Sequence, residues 1–109
     1  MSGTEMVKPR LEGKTVYVTG ASGGIGGAIC KRLQAEGASV VGMVLGAEIE
    51  QWRESSGFPA VEMDQSSEAS VIEAFKRARE MAGPPNSLIA CAAIMHGSGA
   101  FEDVQLADW

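Results

Sequence analysis

Residues Thr19 to Gly26 read T-G-A-S-G-G-I-G, with a β-branched apolar stretch before them and an amphipathic one after. A strand that ends in a glycine turn and opens directly into a helix leaves bare backbone N–H groups at the positive end of that helix. Such a place suits an anion, and in α/β folds the anion is the pyrophosphate of a dinucleotide. Each glycine has a task. Gly20 ends the strand and can take a backbone angle that other residues resist. Gly24 has no Cβ, so the chain can come close to a phosphate. Gly26 lets the first helical turn pack tightly on the sheet. Ser22 adds a hydroxyl for the phosphate or for the loop itself. A turn that binds nothing would explain the octet alone, but the strand, the helix and the β-α alternation around it favour the dinucleotide. No Gly-Lys-Ser/Thr follows, so this is not a Walker-type loop. The spacing is G-x-x-x-G-x-G, at Gly20, Gly24 and Gly26, where the usual fingerprint is G-x-G-x-x-G.

The rest of the chain supplies the alternation. Lys14 to Thr19 reads as a strand on Val16 and Val18, and Ile25, Ile29 and Leu33 put one apolar face on the helix that follows. Gly37 suits the C-terminus of that helix. Ser39 to Leu45 (SVVGMVL) is a second strand, Ala47 to Arg53 a short helix closed by turn residues Ser55 to Pro59, and Ala60 to Met63 a short third strand. Asp64 to Ser67 leads into a helix carrying Val71, Phe75, Ala78 and Ala82, with Glu68 in its first turn and Gly83, Pro84 and Pro85 as its stop. Leu88 to Ala93 (LIACAA) has no polar alternation and reads as a fourth strand covered on both faces. His96 to Gly99 is a loop, and Phe101 to Trp109 begins something helical. The order β-α-β-α-β-α-β with short connections predicts an α/β domain on a parallel sheet.

At 109 residues the chain is one domain at most, with residues 1–10 a flexible arm and 11–109 the folded part. A formal net charge of −5 argues against nucleic acid and against an anionic membrane surface. No apolar run approaches transmembrane length and Met1 to Arg10 lacks a signal-peptide core, so a cytoplasmic location is expected. Cys30 and Cys91 have no metal-ligand spacing and read as two reduced structural thiols.

The segment Leu11 to Gly26, L-E-G-K-T-V-Y-V-T-G-A-S-G-G-I-G, closely resembles the opening of the short-chain dehydrogenase/reductase family. Downstream, Gly37-Ala38 before a strand, Asp64 after the third strand, Leu88 to Ile94 and F-E-D-V-Q-L-A-D-W extend the resemblance over nearly the whole chain. It implies a Rossmann-like doubly wound parallel sheet, strand order 3-2-1-4, in a truncated form. It also implies a coenzyme, NAD or NADP, held by Gly20, Ser22, Gly24, Ile25, Gly26, Val44, Leu45, Asp64, Gln65, Ala92 and Ala93. Asp64 matches the aspartate that bonds the adenine amino group in the family, although an Asp there can instead cap the next helix.

The family's catalytic Asn, Ser, Tyr and Lys normally follow the point where this chain stops, so none is carried over. Tyr17 lies inside the first strand and reads as a packed residue. The family's N-N-A-G is Ala90-Cys91-Ala92-Ala93 here, which loses an asparagine that ties strands together and adds a methyl beside the cofactor. After the second strand an acid would favour NAD and an arginine NADP, but Val44 and Leu45 stand there. Arg53 could approach but reads as a solvated surface residue. Glu48, Glu50 and Glu54 read as a solvated face, Trp52 as packing for its helix, the six methionines as ordinary packing, and His96 as a loop residue without a catalytic role.

Hydride transfer between a nicotinamide and a carbonyl or alcohol is what the resemblance implies for the full-length family. For this chain it implies the coenzyme-binding portion, predicted inactive alone. A non-catalytic dinucleotide module needing a partner chain, and an inactive relic, are the alternatives. In the 3-2-1-4 order the fourth strand is an exposed apolar edge, which invites self-association or pairing with a partner.

Overall fold

The computed structural model describes residues 9–93 and 100–108. Strand β1 is Thr15–Thr19, helix α1 Gly24–Ala35, strand β2 Ser39–Val44, helix α2 Ile49–Ser56, strand β3 Ala60–Glu62, helix α3 Glu68–Ala82 and strand β4 Ser87–Ala90. The four strands form one parallel sheet in the order β3-β2-β1-β4, as expected.

Successive strand residues face opposite ways, so β1, β2 and β3 each feed two cores. Val16, Val18, Val40, Val44 and Ala60 turn to one face, where Cys30 of α1 and Trp52 of α2 cover them. Tyr17, Val41, Met43, Val61 and Met63 turn to the other, against Ala74 and Ala78 of α3. The sheet is thus doubly wound, with α1 and α2 on one side and α3 on the other. β1 and β2 are apolar almost throughout because both of their faces are covered.

Local chemistry sets the element ends. Gly37, at φ 94°, turns the chain out of α1 into β2. The Ser67 side chain accepts the Ser70 N–H at the N-terminus of α3, and α3 stops at Gly83 before the two prolines. Arg53 closes the outer edge of β3 by donating to the Ala60 carbonyl at 2.8 Å. Burial, then the neighbouring Cys91, pushes the Cys30 thiol up to about 11, so it stays protonated and inert, in keeping with a structural thiol.

Several expected boundaries move. β2 ends at Val44, leaving Leu45 to open a single 3-10 turn over Gly46–Glu48, and the second helix starts only at Ile49. On α1 the residues that reach the core are Gly26 and Cys30, and Ile25 is 75% exposed. The apolar face read from Ile25, Ile29 and Leu33 therefore sits at the margin of the contact, because the helix packs through its small residues. β4 is shorter than expected and is not covered on both faces. Leu88 pairs with Tyr17 and shares its side of the sheet, but α3 packs over β3 and β2 and leaves Leu88 49% exposed. Cys91 follows the strand and is half-buried. Residues 101–108 form two short 3-10 turns, Phe101–Asp103 and Leu106–Asp108, in place of a helix start. The arm at Met1 to Lys8, the loop with His96, and Trp109 lie outside the described residues.

Candidate functional site

The glycine loop lies at the carboxyl end of the sheet, between β1 and α1, where open α/β sheets take their ligands. Its glycines do different work. Gly20 has φ 64°, and a Cβ there would stand 2.7 Å from the backbone of Ala92. A Cβ on Gly26 would stand 2.2 Å from the Gly20 carbonyl oxygen. These two let the backbone close on itself. Around Gly24 a Cβ would meet nothing within 4 Å, so its missing side chain leaves open space in front of α1.

That space faces an unclaimed helix end. Gly23 provides no side-chain cap, and the first turn of α1 contains no acidic residue. The N–H groups of Gly24, Ile25 and Gly26 belong to the first turn, which a helix cannot satisfy internally. With the positive end of the helix dipole they form a cradle for an anion. A phosphate fits this donor set, and a carboxylate in the first turn would have opposed it. Ile25 adds an exposed apolar side chain beside the cradle.

The other expected residues gather round the same end of the sheet. Ala92 packs its backbone on Gly20, and Gln65 donates from Nε2 to the Ala92 carbonyl at 3.4 Å. Ala93 is exposed. Leu45 is half-exposed, but Val44 is buried in the core, so only its backbone could face a ligand. Asp64 does not cap α3, a role taken by Ser67. Its Oδ1 accepts from the Ser66 backbone N–H and hydroxyl, and these two bonds hold its carboxyl below the usual range. Ser22 does not serve the loop. Its hydroxyl donates at 2.8 Å to Oε1 of Glu48, which is therefore more than part of a solvated face.

Thr19 has a role that the sequence pattern does not disclose. It is buried, and its Oγ1 accepts the N–H groups of Cys91 at 3.1 Å and Ala92 at 3.2 Å. It ties β1 to the segment after β4, a job expected of the lost asparagine. Its place directly before Gly20 was the available signal. Tyr17 is a packed strand residue: fully buried, its hydroxyl donates to the Gly83 carbonyl at 2.5 Å. A separate open cleft of about 550 Å³ runs along the outer edge of β3. Its Arg53 and Arg77 are balanced by Glu62 and Glu80, so it offers no net charge to an anion.

Among known proteins, the chain is 36% identical over 111 residues to glycine betaine reductase ATRR of Emericella nidulans, covering 94% of this chain and 8% of that protein. It is 31% identical over 104 residues to the uncharacterized oxidoreductase YuxG of Bacillus subtilis, covering 88% of this chain and 15% of that protein. Among solved structures it resembles a blue fluorescent protein from a metagenomic library in complex with NADPH, at 34% identity and TM-score 0.71. It also resembles a short-chain dehydrogenase/reductase from Serratia marcescens, at 30% identity and TM-score 0.74. Each match covers 90% of this chain, and 43% and 42% of those structures respectively. The dinucleotide expected from the glycine loop, NAD or NADP, accords with that NADPH complex. The model of the short chain dehydrogenase family matches residues 14–109, and with the glycine spacing and the 3-2-1-4 sheet this establishes that the chain belongs to that family.

Proposed function

We propose that this chain is the coenzyme-binding portion of an NAD(P)-dependent oxidoreductase. The observation that carries the reading is the uncapped, acid-free N-terminus of α1 behind the open space at Gly24. In this reading the N–H groups of Gly24, Ile25 and Gly26 bind the pyrophosphate. Ser22, Val44 and Leu45 border the adenosine ribose, Asp64 and Gln65 border the adenine, and Ala92 and Ala93 border the nicotinamide half. A bound nicotinamide would supply or accept the hydride for a carbonyl or alcohol carbon. The chain's own residues orient the dinucleotide and shield one side of it. No proton transfer is assigned to them, because the sole tyrosine, Tyr17, is buried and bonded to Gly83.

The test is Gly24→Val. Its side chain would project into open space, so the fold and the melting temperature should hold, while affinity for NAD and NADP by titration calorimetry should fall at least about tenfold. Unchanged affinity in a folded variant would reject the site.

The same reading includes two further expectations. The chain works in the cytoplasm, and it self-associates through β4. The second is supported by Leu88, exposed on a strand that pairs on one side only among the described residues.

A further inference from the structure

The crevice between the glycine loop and the end of β2 has an electrostatic character that the sequence pattern did not convey. Neither Val44 nor Leu45 can choose between NAD and NADP. Two carboxylates from elsewhere reach the same place. Glu48, two residues beyond Gly46 on the 3-10 turn, takes the Ser22 hydroxyl on Oε1 at 2.8 Å and so spans the two loops at the ends of β1 and β2. Glu62, at the end of β3, leans over Gly46 so closely that a Cβ there would lie 2.4 Å from its Oε1. Glu62 also borders the cleft that holds Arg53 and Arg77, whereas Glu48 has no salt-bridge partner among the described residues. The sequence has no lysine or arginine from Leu33 to Trp52 or from Thr19 to Cys30. Arg53 is turned away, with its guanidinium on the Ala60 carbonyl and 3.5 Å from Glu50.

Resting on the dinucleotide reading above, we propose that Glu48, positioned by Ser22, selects the adenosine ribose and makes this chain an NAD rather than an NADP binder. A carboxylate accepts through two oxygens. Oε1 can keep Ser22 while Oε2 accepts a ribose hydroxyl, so binding need not break the tether. NADP instead brings a 2′-phosphate to this spot. That group would face the Glu48 carboxylate at close range and Glu62 behind it, with no guanidinium to pair with. The acid thus comes from the turn after β2 and not from the strand's last residue.

The full chain is titrated with NAD and NADP by calorimetry, alongside Glu48→Gln and Glu48→Arg. Glu48 is exposed, so both variants should fold, and unchanged melting temperatures check this. The wild type should bind NAD roughly tenfold or more tighter than NADP, as expected where a dianionic phosphate meets a fixed carboxylate. Glu48→Gln should narrow that ratio and Glu48→Arg should invert it. The same ordering should hold for 5′-AMP against adenosine 2′,5′-bisphosphate, which confines the effect to the adenosine half. A wild-type chain that binds NADP as well as NAD, or a Glu48→Arg variant with an unchanged ratio, would overturn the assignment of Glu48. Binding of neither dinucleotide to the folded wild type would instead overturn the site reading beneath it.

Discussion

Trp52 and Gly42 show how closely single positions are fitted in this sheet. The indole of Trp52 lies on β2 where Gly42 has no side chain, and a Cβ there would come within 2.4 Å of the ring. Phe58 stacks on the indole with ring centroids 5.8 Å apart. Gly42→Ala should therefore overpack this core and cost about 1–3 kcal/mol, measured by chemical denaturation. No change in the denaturation midpoint would mean that the indole moves aside freely. That glycine could not be understood from the sequence, because its partner is ten residues away on another element. The site glycines were more legible, since the motif itself assigns closeness to a phosphate to Gly24 and close packing to Gly26. The bond from Ser22 to Glu48 was not legible, because it depends on how a three-residue turn aims one carboxylate.

At the scale of elements, α1 and α3 begin in opposite ways. Ser67 caps α3 and Glu68 sits in its first turn, so its N-terminus is satisfied by its own residues. α1 has neither device, and its N-terminus is left for something else. Ser67→Ala should lower stability by about 1 kcal/mol, read from the thermal midpoint, with dinucleotide affinity little changed. A larger loss of affinity than of stability would place Ser67 in the site. Helix and strand identities in β1 to α3 were readable because periodicity and turn residues agreed. Apolar content alone was a poor guide to burial. Leu88 to Ala93 looked like a buried strand, yet apolar residues do not state whether a helix lies over them. On α1, large side chains suggested the buried face, but Gly26 and Cys30 bring the helix close enough to push Ile25 outward.

For the whole molecule, one parallel sheet with helices on both faces puts the ends of all its strands at one rim, and the expected site residues collect there from four separate stretches of sequence. The opposite consequence is at β4, whose outer side pairs with no other strand among the described residues. If self-association uses that side, sedimentation should give a concentration-dependent average mass, and Leu88→Lys should shift the population to monomer. An average mass that is the same at every concentration and in the variant would reject the proposed pairing. The rim also depends on a long closure. Thr19 holds the N–H groups of Cys91 and Ala92, residues 72 and 73 positions away, and Gly20 rests on the Ala92 backbone. The glycine loop is thus braced by a segment that lies far along the chain from it. On a ribosome, the cradle cannot reach its final shape until β4 has emerged and docked, so the proposed capture of a coenzyme waits for a strand synthesised well after the loop itself.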